Sequence, residues 1–293
     1  MKRLATTFSF PAFLAALTWG TVLPVTKIGV LEMGPLAFAS IRLFAAAGLL
    51  FLLLLLSGGR VRVTRRELGW LLLAGVVGLG LSSAFFHLSL GYTAASHTAI
   101  LAATAPIFTV LLALALGLER PAPRHAGAIL LAFAGVALVM QWGREGGQGS
   151  LFGDLMAVAL AASWGAYNVM VLRLAGWCSP VQILAYVSLF AAAVLAPLAL
   201  PEIESLQLSA ISPAGWFSLA YAVGLGSTGA FILWQRSIQR IGAGKTMVYY
   251  YLQPISGVVT AAFLFQEQLV PMQIAGALLV LISVGLAATR RAP

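Results

Sequence analysis

The stretch "VGLGLSSAF" at residues 77–85 returns as "VGLGSTGAF" at residues 223–231, 146 positions later. The repetition extends outward in both directions. "LTWGT" at 17–21 matches "ASWGA" at 162–166, so Trp19 and Trp164 are offset by 145, as are Pro35 and Pro180. Trp70 and Trp216 are offset by 146. "HTAILAATAPIFT" at 97–109 precedes "KTMVYYYLQPISG" at 245–257 by 148 positions. That alignment sets Thr98 on Thr246, Pro106 on Pro254, Ile107 on Ile255 and, further along, Glu119 on Glu267. The chain therefore divides into two similar units, 1–145 and 146–293.

The composition identifies the solvent. Of 293 residues, 61% are hydrophobic and only 9% charged, with a mean hydropathy of +0.98. A soluble domain carries roughly a quarter charged residues, so this much apolar surface calls for lipid. Crossing the hydrocarbon takes about 20 apolar residues. Ten stretches qualify: 9–29, 35–57, 67–90, 96–117, 124–142, 151–174, 180–200, 213–236, 245–265 and 270–289. The expected fold is an all-α polytopic membrane protein. Lys2 and Arg3 precede the first apolar run without a convincing small-residue cleavage site, which reads as an uncleaved first helix.

Charge sets the orientation. With the N-terminus in the cytoplasm, 14 of the 17 basic residues fall on the cytoplasmic side. Only Lys27 and Arg144 fall outside, and Arg42 lies within the second span. This positive-inside bias puts both termini in the cytoplasm. It also accounts for the net charge of +9 without a nucleic-acid partner. Each unit holds five spans, and five is odd, so the second unit enters the membrane from the opposite side. Inverted-topology repeats of this kind place a substrate site near the midplane between the units.

Several short motifs dissolve in this context. Gly224, Gly226 and Gly229 spell the dinucleotide fingerprint, but inside a transmembrane span rather than between a strand and a helix. Small residues there serve helix packing. Gly244-Lys245-Thr246 resembles the end of a phosphate loop, yet Gln239 stands where its first glycine belongs. Gly80-Leu81-Ser82-Ser83-Ala84 lacks the last glycine of a serine-protease elbow. No H-E-x-x-H motif or paired intramembrane aspartates occur. The sequence thus reads as no enzyme, with no cofactor and no metal site. The one cysteine, Cys178, excludes an intrachain disulfide.

Candidate site residues are the polar and aromatic groups left inside the spans. Lys245, Tyr249, Gln253 and Ser256 share one helical face. Tyr249 and Gln253 are expected to face substrate, with Tyr250 next; the alternative for each tyrosine is an interhelical bond or an interface anchor. Trp164 and Asn168 share a face of the sixth span, and Asn168 either meets a ligand or bonds a neighbouring helix. Trp19 and Trp164 sit mid-span, as cavity wall or tight packing. Ser83 and His87 are four apart in the third span. His87 either exchanges a proton or is a hydrogen-bonded structural histidine. His97, at the start of the fourth span, is expected to be solvated. Thr18 and Thr21 are expected to bond their own backbone.

Arg42 is a costly charge to bury, so function is its default reading, with snorkelling or a pair with Glu32 as alternatives. Lys27 is expected at the outer surface. The first and third spans carry no membrane-embedded Asp or Glu, which argues against cationic substrates, with Asp154 left open. Pro24, Pro106 and Pro254 are candidate hinges or static kinks, and Pro197 also interrupts a helix.

With its ten spans, the 5+5 repeat, "LTWGT" and "ASWGA", and a proline followed 13 residues later by Glu119 and Glu267, the chain resembles the drug/metabolite transporter superfamily, EamA type. In detail it is similar to the bacterial inner-membrane exporters of aromatic amino acids. The resemblance implies a basket of helices around a central cavity and export of aromatic amino acids and related amphipathic metabolites by alternating access. It carries Trp19, Ser83, His87, Trp164, Asn168, Tyr249 and Gln253 to that cavity. The alternative cargoes are purines, sugar-linked nucleotides or cationic xenobiotics. A nucleotide carrier should show more cavity Lys or Arg than Arg42 and Lys245. The expected partners are the lipid bilayer and a small-molecule substrate, and no oligomer is required.

Overall fold

A computed structural model describes residues 9–115, 127, 130–131, 133–138, 150–174, 176–241, 249, 252–266 and 271–288. The described residues are helical, without a strand. α1 is Phe10–Met33 and α2 is Pro35–Leu56. α3 runs through Arg65–Leu73, Ala74–Gly80 and Leu81–Tyr92. α4 is Ala95–Ala102 and α5 is Ala105–Ala115. α6 is Leu151–Leu174 and α7 is Pro180–Glu204. α8 runs through Pro213–Tyr221, Ala222–Gly229 and Ala230–Ile241, α9 is Leu252–Phe265 and α10 is Pro271–Ala288. Six of these are long and apolar enough to cross a membrane, and α9 and α10 hold the shorter apolar stretches Ile255–Phe265 and Ile274–Ser283. Most of the fifth expected span, and Tyr250, lie outside the described residues.

Local sequence explains the helix starts. Ser9, Ser179 and Ser212 cap α1, α7 and α8, each with a proline at the first or second helical position. Thr64 and Glu67 form a reciprocal capping box on α3. Two carboxylates cap neighbouring helices instead of their own. Glu202 accepts from the amides of Leu36 and Ala37 at the start of α2, both at 2.8 Å. Glu32 accepts from the Ser212 amide and hydroxyl at 2.8 and 2.7 Å. Helix N-termini favour such negative charge. Glu32 is therefore engaged away from Arg42.

The stretch that revealed the repeat has an unusual backbone in both copies. Ala74–Gly80 and Ala222–Gly229 are π-helical. Each is rich in glycine, which weakens the α-helical ladder and lets a wider turn form. The "APIF" stretch is irregular too. The chain turns at Ala103–Thr104, where the Ala103 and Thr104 amides donate to Ile100 and Leu101 carbonyls at 3.2 and 3.1 Å.

Packing exchanges the halves. α2 lies along its repeat mate α7. α1 packs on α8 and α9, whereas α6 packs on α3, α4 and α5. Corresponding glycines allow the close crossings. A Cβ on Gly20 would stand 2.6 Å from the Gln253 carbonyl of α9. A Cβ on Gly165, its mate at offset 145, would stand 2.9 Å from the Thr109 amide of α5. The glycine after each tryptophan is thus a contact point between units.

Candidate functional site

These crossings leave a central cavity of about 120 Å³. It is walled by Trp19, Val22 and Leu23 of α1, Arg42 of α2, and Leu79, Ser82, Ser83 and Phe86 of α3. Ala102 of α4 and Ala105 of α5 flank the turn at Ala103–Thr104. Leu160, Ala161 and Trp164 of α6, Gly226 and Phe231 of α8, and Gln253 of α9 complete the wall. A cavity of ~150 Å³ admits a benzene ring, so this conformation has room for about one aromatic group.

Both tryptophans reach the cavity, but not equivalently. Trp19 Nε1 donates to the Gly226 carbonyl at 3.2 Å, within the π-helical segment of α8. The wide turn leaves that carbonyl open to a partner from α1. Trp164 stacks on Tyr167, centroids 4.9 Å apart, and its indole N–H has no partner among the described residues. Phe231 stands between the two, edge-on to Trp19 at 5.0 Å and to Trp164 at 6.0 Å.

Arg42 supplies the charge. Its Nη2 donates to Ser83 Oγ at a long 3.4 Å, and its guanidinium lies 5.9 Å from the Phe86 ring centroid. Its Nε is buried without a partner. No carboxylate pairs with it among the described residues, and no acid lines the cavity. Gln253 Oε1 is likewise buried without a partner.

Other sequence candidates lie elsewhere. His87 sits beneath Ser83, fully buried between Phe38 and Phe86. Its Nδ1 lies 2.6 Å from the Ser83 carbonyl, which can only accept, so Nδ1 carries the proton. Asn168 donates from Nδ2 to the Trp164 carbonyl of its own helix at 3.0 Å. The Tyr249 hydroxyl accepts from the Ser9 amide at 2.9 Å. Ser9 is ten residues before Trp19, about 15 Å along α1. Tyr249 therefore belongs to the cluster of Trp19, Trp234 and Phe231 toward that end.

Pro24 lies within a continuous α1. Pro106 is the second residue of α5, a first-turn position where a missing N–H loses no helical bond, and Pro254 lies within α9. Thr18 and Thr21 donate to the Leu14 and Thr18 carbonyls, as expected.

His97 departs from its expectation. It is fully buried, with Nδ1 3.0 Å from Asp154 Oδ1, which also accepts from Thr93 Oγ1 at 2.7 Å. Asp154 holds the joint between α3 and α4 onto α6, about 9 Å along α6 from the cavity residue Leu160. Lys27 is half-buried, donating to the Thr93 carbonyl at 2.9 Å and lying over the Phe265 ring. Phe86 and Phe231 went unnoticed in the sequence. The signal was available for Phe231, which closes the repeated "VGLG" segment.

The chain matches the EamA-like transporter family twice, over residues 9–141 and 151–289. It is 26% identical to "Uncharacterized transporter YetK" of Bacillus subtilis over 228 residues, 77% of this chain and 69% of the relative. It is 26% identical to "Probable amino-acid metabolite efflux pump" of Salmonella typhimurium over 292 residues, 93% and 91% of the two chains. A solved structure titled "Crystal structure of protein" superposes with a TM-score of 0.66 at 20% identity, over 95% of this chain and 96% of its own, which is a likeness of fold alone. The chain belongs to the EamA-like transporter family.

Proposed function

We propose that this member of the EamA-like transporter family exports aromatic amino acids and related amphipathic metabolites across a bacterial inner membrane by alternating access. The carrying observation is Arg42: a guanidinium with no counter-charge among the described residues, set in a cavity walled by aromatic rings. A buried charge without a partner is strongly destabilising unless a ligand supplies one. A planar guanidinium fork suits a carboxylate. Trp19, Trp164, Phe86 and Phe231 offer faces and edges to the substrate ring. Ser83 and Gln253 give neutral hydrogen-bonding groups at the rim of the charge. Two relatives carry the name "Probable amino-acid metabolite efflux pump", which agrees with a carboxylate-bearing cargo.

In this reading ten spans form two inverted five-helix units, with both termini cytoplasmic. One chain holds a complete pathway, so no oligomer is required. Pro106, just after the chain turn between α4 and α5, and Pro254 form the hinge pair, and Pro24 modulates α1. Tyr249 belongs to the gate at the end where α1 begins rather than to the ring pocket, and Tyr250 stays a candidate substrate contact of the same span. His87 and Asn168 hold Ser83 and Trp164 in place from behind.

The test is efflux from cells fed a phenylalanine-containing dipeptide, which hydrolyses to free amino acid inside. Cells with the wild-type chain should release phenylalanine faster than cells with Arg42→Gln at matched membrane abundance. Equal release from wild type, Arg42→Gln and cells without the protein would refute the reading.

A further inference from the structure

The charge census of the cavity goes further than its shape. Among the described residues, the lining carries one cation, Arg42, and no anion. The five described carboxylates are elsewhere. Glu32 and Glu202 cap helices, Glu67 pairs with Arg60 at 3.0 Å, Asp154 holds His97 and Thr93, and Glu204 is exposed. The neutral acceptors are mostly used. The Gly226 carbonyl takes the Trp19 N–H, and Ser83 Oγ takes Arg42. What remains for a ligand is mainly donors, Arg42 Nε and the Trp164 indole N–H, plus the single amide of Gln253.

A zwitterionic amino acid fits this set poorly. Its carboxylate satisfies Arg42, but its ammonium enters the same enclosure with only neutral acceptors among the described residues to meet it, chiefly the Gln253 amide oxygen and the Ser82 hydroxyl. The occupied site then still holds a net positive charge away from water, which is unfavourable. A monoanion closes the balance. Gln253 has both donor and acceptor atoms, so it suits a hydroxyl or oxo group beside the carboxylate.

We infer that the cavity prefers net-monoanionic aryl carboxylates, the 2-hydroxy and 2-oxo acids, over the amino acids of the same ring. The guanidinium of Arg42 reads the carboxylate, the aromatic walls hold the ring, and Gln253 meets the 2-substituent. The inference rests on the reading of this cavity as the transport site. It extends the cargo to deaminated products of aromatic amino acids, so a reaction that removes the amino group stands upstream of export.

Equilibrium binding to the purified full chain in detergent tests it, with labelled 3-phenyllactate, L-phenylalanine and phenethylamine as probes sharing one ring. Phenyllactate should bind at least about tenfold more tightly than phenylalanine, a gap of about 1.4 kcal/mol, and phenethylamine should not bind. Arg42→Gln should abolish the preference, and Arg42→Lys, which keeps the charge and guards against misfolding of the first variant, should retain it. Phenylalanine binding as tightly as phenyllactate, or a preference unchanged in Arg42→Gln, overturns the inference. Phenylalanine efflux from cells without phenyllactate binding sinks this inference alone. Phenyllactate binding without phenylalanine efflux sinks the amino-acid reading and leaves this one standing.

Discussion

At the scale of single residues, Arg42 and the two tryptophans divide the work. Removing the Arg42 guanidinium takes away a charge-assisted bond worth about 1.5–3 kcal/mol. Arg42→Gln should therefore weaken carboxylate binding by roughly 10- to 100-fold, measured as Kd for phenyllactate. Trp19→Phe keeps a ring but orphans the Gly226 carbonyl, and should lower stability by about 1 kcal/mol. Trp164→Phe orphans nothing among the described residues, so its thermal unfolding should stay near wild type while ligand binding falls. Equal stability losses in both variants would contradict the asymmetry of the N–H partners. The sequence made the tryptophans equivalent, because the repeat is all it displays. Their inequivalence depends on which carbonyl a π-helical turn leaves open, and no residue spacing encodes that. Tyr249, Gln253 and Ser256 share a helical face, yet only Gln253 reaches the cavity, since helical periodicity gives direction around an axis and not depth along it.

At the scale of elements, glycines and one buried carboxylate hold the helices in register. Gly20→Val would push against the Gln253 carbonyl and Ser256 where α1 crosses α9. Overpacking of this kind costs about 1–3 kcal/mol, read as a lowered unfolding temperature in detergent, and Gly165→Val should behave alike at the mate crossing. An unchanged unfolding temperature in both would contradict the pairing of crossings. Asp154→Ala removes an acceptor shared by His97 and Thr93. Losing buried hydrogen bonds costs about 1–3 kcal/mol, so this variant should unfold below Asn168→Ala, whose bond is within one helix. Helix positions were legible in hydropathy, and the crossing glycines in the "TWG" and "SWG" repeats. The His97–Asp154 contact was not, because a histidine near the end of a span reads as solvated until a helix 57 residues later covers it.

At the scale of the whole molecule, residues of both units wall one cavity, and the proposed function makes the two units an inverted pair. Orientation is testable in a Cys178→Ala background. Arg62→Cys, in the basic connection before α3, should resist a membrane-impermeant maleimide in intact spheroplasts. Ser205→Cys, after α7, should react. The reverse pattern would invert the topology.

The most direct measurement is counterflow in proteoliposomes of the full chain, loaded with unlabelled phenylalanine and diluted into labelled phenylalanine. The account predicts transient accumulation of label by the wild type, accelerated exchange with internal phenyllactate, and neither with Arg42→Gln. Accumulation that is equally strong in Arg42→Gln, or absent from folded wild-type protein with either solute inside, would contradict the claim that this cavity carries aryl carboxylates across the membrane.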